Sequence, residues 1–252
     1  MGLIVGLLLS LLIGLSLGLL GGGGSLITVP VLVYVLGVEP HQAIGMSLAV
    51  VGATSALAAT LHYRRGTLRL AAGLLLSASG ILGAYFGARL TYLFTPAALL
   101  LTLAALMLLI ATLMLRRHDP QDGVTEGQQA RPVIMVLTGL SMGVLTGLFG
   151  VGGGFLIVPA LTLLAGLPMQ EAIGTSLLVI AINAVAGLLG HLQHGGFDPL
   201  LTVAVTTLAV LGMLLGVTWS ALVSSARLRT GFALFIIAVA LFLVAKNYPA
   251  LF

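Results

Sequence analysis

Two near-copies of one string, GGGGSLITVP over Gly21–Pro30 and GVGGGFLIVP over Gly150–Pro159, set the terms on which this chain can fold. A glycine inside a helix costs roughly 1 kcal/mol against alanine, so a run of them between apolar segments predicts a place where helical geometry stops. The duplication predicts that this happens twice, in two halves of one design. A displacement of 129 positions, Gly21 to Gly150, aligns the halves without a gap. It places Gly18, Pro30, Gly37, Ala43, Ile44, Gly45, Ser47, Leu48, His62 and Gly66 on Gly147, Pro159, Gly166, Ala172, Ile173, Gly174, Ser176, Leu177, His191 and Gly195.

The medium follows from composition: 252 residues, 60% hydrophobic and 6% charged, with a mean hydropathy of +1.23. A soluble domain carries about 25% charged residues, so this is an integral membrane protein. Each half offers five apolar segments: about 3–20, 25–37, 41–61, 68–93 and 97–115, then 133–149, 155–166, 169–190, 199–223 and 227–245. The long runs reach or approach the ~20 residues that cross a hydrocarbon core. The second segment of each half falls short of that length. The fold class expected is therefore an all-α membrane protein built of two repeats, residues 1–115 and 132–252, joined by a polar cytoplasmic linker over 116–131. The first segment lacks a basic leader and is followed closely by further spans, so it is read as part of the mature protein.

Orientation turns on whether the first two segments of each half form one broken crossing or two returning legs. Two legs give each half odd parity and bring Arg64, Arg65, Arg69, Arg116, Arg117, Arg131, Arg227 and Arg229 to one side, with Lys246 opposite. One broken crossing separates Arg227 and Arg229 from the rest. Basic residues collect in cytoplasmic loops, which favours two legs, an inverted-topology repeat and termini on the outer side.

Short, glycine-interrupted segments at matching positions of inverted repeats mark transporter binding sites. Freed backbone N–H groups at a helix start attract anions. The candidate substrate-binding residues are accordingly Gly22, Gly23, Gly24 and Ser25 in the first half and Gly152, Gly153 and Gly154 in the second. Pro30 and Pro159 are expected to break or bend the short helices, because each removes a backbone donor. Hydroxyl and amide groups at membrane depth complete the set: Ser47, Thr175, Ser176 and Asn183, the last on one face with Ser176 at two turns' spacing. His62 and His191 match across the repeat and are candidates for proton coupling, although capping of carbonyls at a helix end is the commoner role of such a residue. Glu39 and Glu171 suit helix N-termini. Gly14, Gly18, Gly83, Gly87, Gly143, Gly147, Gly212 and Gly216 fit small-residue packing.

No cysteine is present, and no paired intramembrane carboxylates, zinc-binding string or Walker string occurs. The glycine run lacks the acidic residue and βαβ context of a dinucleotide site. Neither enzyme chemistry nor a cofactor nor a metal is expected, and the basic residues do not form a nucleic-acid patch. The expected partners are the lipid bilayer and a small anion, with homo-oligomerisation left open.

The element GVGGGFLIVPAL with its variant GGGGSLITVPVL, followed by AIGTS and AIGMS, resembles the sulfite exporter TauE/SafE family of membrane transporters. The resemblance spans both halves. It implies movement of sulfur-containing anions, such as sulfite, sulfoacetate and related organosulfonates, across the cytoplasmic membrane. Alternating access in the export direction is the mechanism expected. A passive anion channel and a membrane-embedded structural subunit are the alternatives.

Overall fold

In a computed structural model the described residues are 2–91, 96–116, 132–149, 154–191 and 198–247, and they are helical with no strand. The first repeat comprises α1 (Gly2–Leu20), α2 (Gly23–Pro30), α3 (Pro40–Arg64), α4 (Leu70–Thr91) and α5 (Pro96–Arg116). The second comprises α6 (Pro132–Phe149), α7 (Gly154–Leu163), α8 (Met169–His191), α9 (Pro199–Leu222) and α10 (Ser225–Asn247). Four of the described helical stretches, in α3, α8, α9 and α10, are long and apolar enough to cross a membrane. Residues 117–131 of the expected linker lie outside the described residues.

The first two segments are two returning legs. Helix α1 ends where Gly21 takes a left-handed φ of +71° and its N–H bonds the Leu17 carbonyl at 2.8 Å. The chain then doubles back. A Cβ placed on Gly24 would lie 2.6 Å from Leu17 Cγ, and one on Gly6 2.5 Å from Leu36 Cγ, so α2 retraces α1 from its end to its beginning. Pro30 is the last residue of α2, where the regular helix ends. The backbone absorbs the missing donor by widening into a π-helical turn over Val31–Val35, closed by Leu36 N–H to Val31 O at 3.1 Å. Pro159 instead lies within α7, whose residues Gly154–Leu161 are all buried.

Close glycine contacts and side-chain bonds give the helix directions. Gly14 meets Ala209 and Gly18 meets Met213 and Val217, so α1 and α9 run parallel. Gly139 meets Leu76, and Gly143 meets Gly80 and Ala84, so α6 and α4 run parallel. Leu48 lies against Gly187, Gly52 against Ala184 and His62 against Gly174, which makes α3 and α8 antiparallel. Helix α4 follows α8, with Arg69 N bonded to Thr175 and Gly73 against Leu178. Helix α3 follows α9, with Met46 and Val50 clustered with Val205 and Ala209, and Arg65 bonded to Val217. It follows that α1, α3 and α9 point one way and α4, α6 and α8 the other. The two repeats therefore start in opposite senses, as an inverted pair requires.

The α1–α9 and α4–α6 seams are the glycine-packed interfaces that the sequence pattern anticipated. At Gly14, Gly18, Gly83, Gly143, Gly212 and Gly216 an added Cβ would collide with the backbone of the opposing helix. Backbones this close gain dispersion and weak hydrogen bonding, which drive association where both lipid and side chain are apolar. The outward surface is lined by Leu8, Leu137, Leu200, Val203, Leu222 and Leu241, exposed side chains that suit acyl chains rather than water. Gly14→Leu is expected to lower the thermal midpoint in detergent strongly, since overpacking costs about 1–3 kcal/mol or more. Gly231→Leu, where nothing lies within 4 Å, is expected to leave it unchanged; equal shifts for the two would refute the seam.

Candidate functional site

The starts of the two short helices meet. A Cβ on Gly22 would lie 2.6 Å from the carbonyl carbon of Gly154 and closer still to its oxygen, and one on Gly154 would lie 2.7 Å from Ser25 Oγ. The starts of α2 and α7 are thus in contact, although they stand far apart in sequence. Of the second glycine cluster Gly154 is among the described residues; Gly150, Gly152 and Gly153 lie outside them.

Above this contact lies a cleft of about 960 Å³. Its wall is made by one face each of α2 (Ser25, Pro30), α3 (Ile44, Ser47, Val51), α4 (Leu76, Gly80, Ala84), α6 (Gly139, Gly143), α8 (Val179, Asn183, Gly187) and α10 (Phe235, Phe242), with Leu103 of α5 and Ile157 of α7. The segments from α3 and α8 occupy the first half of α3 and the second half of α8. Because these helices are antiparallel, the cleft sits in the half of the molecule where α3 begins, α8 ends and Asp198 caps α9. That end is the Asp198 face. The rim is exposed at Ile44 and Gly187.

Among the described residues the lining is apolar apart from three side chains, Ser25, Ser47 and Asn183, and it carries no Asp, Glu, Lys, Arg or His. Ser25 Oγ donates to the Gly22 carbonyl at 2.8 Å, steadying the turn into α2. Ser47 is buried on α3. Asn183 is the outlier, because its Oδ1 is buried with no hydrogen-bond partner. Leaving a buried polar atom unpaired costs about 1–3 kcal/mol. Its repeat equivalent Thr54 shows the ordinary arrangement, fully buried and bonded to the Val50 carbonyl at 2.6 Å.

The remaining candidates divide by side-chain direction. Ser176 Oγ lies 2.7 Å from the Gly21 carbonyl and 2.8 Å from that of Ile173, so it holds the first reversal against α8 and does not line the cleft. Thr175, one residue earlier, faces a different neighbour and accepts the Arg69 N–H at 3.1 Å. His62 is 4% exposed and its Nδ1 pairs with Thr67 Oγ1 at 2.8 Å, away from the cleft. The side chain of His191 lies outside the described residues. Glu39 accepts from Gln42 N–H at 3.1 Å at the start of α3, the role expected of it. Glu171 lies in the first turn of α8 as expected, but its carboxylate is held by Arg69.

Sequence reasoning missed the α10 wall at Phe235, Ala238, Val239 and Phe242, since an uninterrupted apolar helix carries no sign of which face meets a cavity. It also missed the polar contacts at the opposite end, the Arg65 face. There Arg65 Nη1 donates to the Val217 carbonyl at 2.8 Å, and Arg69 Nε and Nη2 donate to Glu171 at 2.8 and 2.9 Å. The carboxylate raises the pKa of Arg69 by its hydrogen bonds and then by its charge, which keeps the guanidinium ionised. The signal was available only as a repeat asymmetry: Arg65 and Arg69 fall on His194 and Asp198.

A multi-pass helical membrane protein whose two short helices start against each other, at Gly22 and Gly154, beneath a cleft has the build of a membrane transporter. Comparison with known proteins gives the class its family. The family model described as sulfite exporter TauE/SafE matches residues 6–243, and the chain belongs to that family. It is 33% identical over 241 residues to a protein of Xylella fastidiosa strain 9a5c named "Probable membrane transporter protein", covering 93% of this chain and 92% of that one. YdhB of Bacillus subtilis, similarly named, is 31% identical, with 84% and 88% of the two chains covered. A Haemophilus influenzae protein of the same name is 28% identical, with 91% and 93% covered. No solved structure matches.

Proposed function

We propose that this membrane transporter is a secondary carrier that moves small sulfur-containing anions, sulfite or organosulfonates such as sulfoacetate, across the cytoplasmic membrane in the export direction by alternating access. The observation that carries the reading is the meeting of the α2 and α7 N-termini, at Gly22 and Gly154, beneath a cleft lined by Ser25, Ser47 and Asn183. Helix starts supply unpaired N–H groups and partial positive charge. Discontinuous helices use those groups to hold anionic parts of substrates at the bilayer midplane.

The absence of ionisable side chains from the described lining narrows the choice among anions. A dianion taken from water into this cleft meets dipoles and three polar side chains but no countercharge, and burying unpaired charge is expensive. A monoanion with an apolar body matches the lining better. Organosulfonates that carry a single charge are therefore favoured over sulfate, over the doubly charged form of sulfite and over sulfoacetate, whose carboxylate makes it a dianion.

Arg64, Arg65 and Arg69 lie at the end of α3 or in the connection that follows it, and Arg227 and Arg229 lie at the start of α10, just after α9 ends; all are on the Arg65 face. By the positive-inside rule that face is cytoplasmic, and the cleft then faces outward.

The test is thermal stability of the detergent-purified protein against methanesulfonate, sulfite, sulfoacetate, taurine, thiosulfate, sulfate, acetate and chloride at equal ionic strength. A ligand that binds only the folded state adds roughly 2.7 kcal/mol at a hundred times its Kd. Selective stabilisation by a sulfonate, with sulfate inert, is expected; a flat panel overturns the reading.

A further inference from the structure

The two ends of the molecule are closed by different chemistry. At the Arg65 face the α3–α4 connection of the first repeat is tied to the second repeat by side chains. Arg69 grips Glu171 with two bonds, its own N–H bonds Thr175, and Arg65 reaches the Val217 carbonyl of α9. The packing there is tight, since a Cβ on Gly174 would lie 2.9 Å from His62 Cβ. The cleft stops short of this end.

The internal repeat maps this closure onto the other face. Arg69 immediately precedes α4 and Glu171 is the third residue of α8; the displacement of 129 places Arg69 on Asp198, which immediately precedes α9, and Glu171 on Gln42, the third residue of α3. A basic–acidic pair at one end thus becomes an acidic–amide pair at the other. In the present conformation Gln42 and Asp198 are both exposed and no hydrogen bond joins them. Asp198 Oδ1 takes both cap bonds, from Leu200 N–H at 2.9 Å and Leu201 N–H at 3.1 Å. Its Oδ2 remains open to a further donor, and a glutamine amide N–H is such a donor.

We infer that Gln42 and Asp198 form the second gate: when the Arg69–Glu171 closure opens, the Gln42 amide donates to Asp198 Oδ2 and shuts the Asp198 face. The inference rests on the alternating-access reading, in which inverted repeats rock against each other about a fixed central site. The two gates are unequal. Arginine meets a carboxylate through two parallel charge-assisted bonds, glutamine through one with a neutral donor. The resting molecule is therefore held closed at the Arg65 face and open at the Asp198 face.

The chain contains no cysteine, so paired cysteines report the motion against a silent background. Gln42→Cys/Asp198→Cys is made in the full chain and oxidised in native membranes with copper phenanthroline. The crosslinked fraction is expected to be small, because a disulfide needs Cα atoms within roughly 7 Å. Adding Glu171→Gln, which removes the resting gate, is expected to raise it roughly two- to fivefold, the population shift of a partly exposed ion pair. The swap Arg69→Glu/Glu171→Arg is expected to return it to the starting value, which a folding defect would not do. An unchanged crosslinked fraction after Glu171→Gln overturns the gate, as does flux that persists in the fully crosslinked protein. The readout needs no substrate, so a flat ligand panel beside a responsive crosslink counts against the substrate reading and leaves the gate standing.

Discussion

Gly22→Ala is expected to abolish measurable transport in reconstituted liposomes, and Gly37→Ala, on the same leg of the chain, is expected to leave it measurable. The contrast isolates a single cause. Gly37 has a φ of +69° and nothing within 4 Å of an added Cβ, so alanine there meets only the strain of a left-handed conformation, about 1–2 kcal/mol. Gly22 has the opposite problem. Its φ of −177° is ordinary extended backbone, but the added methyl would lie 2.6 Å from the Gly154 carbonyl carbon, at the contact between the two helix starts. That neighbour cannot retreat, because Gly154–Leu161 are buried on every side. The two helix starts must separate, and each 1.4 kcal/mol of lost binding geometry corresponds to about a tenfold loss. Flux at the wild-type rate in a Gly22→Ala protein of normal abundance and monodispersity would sink the central-site reading.

What the sequence disclosed and what it withheld follow from the reach of each signal. The reversal at Gly21–Gly22 was legible because consecutive glycines have no cheap helical explanation and because the string occurs twice. The returning second leg was legible from the arginine distribution, and the retracing of α1 by α2 bears it out. Packing glycines such as Gly14 were recognisable by spacing, but their partners were not, since the seam with Ala209 joins residues nearly 200 positions apart. Side-chain direction was the main blind spot. Thr175 and Ser176 looked equivalent as hydroxyls at membrane depth, yet adjacent helical positions point about 100° apart, and one braces Arg69 while the other braces Gly21. The form of the disturbance at Pro30, a π-helical turn over Val31–Val35, was not legible from the missing donor alone. The Arg69–Glu171 pair could not be read in advance, because it depends on the starts of α4 and α8 lying side by side.

Asn183→Leu separates stability from function, and its two effects are expected to run in opposite directions. In the unliganded protein the Asn183 Oδ1 is buried without a partner, a liability that an apolar side chain of similar size removes. The apo midpoint should hold or rise, by up to about 1–3 kcal/mol if the whole penalty is recovered. Ligand binding should fall. Of the three polar side chains in the lining, Ser25 is already engaged with the Gly22 carbonyl, and Asn183 retains an amide free to turn either its N–H or its oxygen toward a guest. A hydrogen bond to a charged group is worth about 1.5–3 kcal/mol, so the sulfonate Kd should weaken by roughly ten- to a hundredfold. Asn183→Asp sharpens the case, since it keeps the shape and adds a negative charge to a cleft without a countercharge; it should bind worse than the leucine variant. The measurement is the midpoint of each protein with and without a singly charged alkanesulfonate such as methanesulfonate. If Asn183→Leu lowers the apo midpoint and leaves the ligand shift intact, the unpaired amide is a packing element and the binding role passes to the two helix starts alone. If it raises the midpoint and erases the shift, the cost of an unsatisfied polar atom in the empty cleft is the counterpart of its use when the cleft is filled.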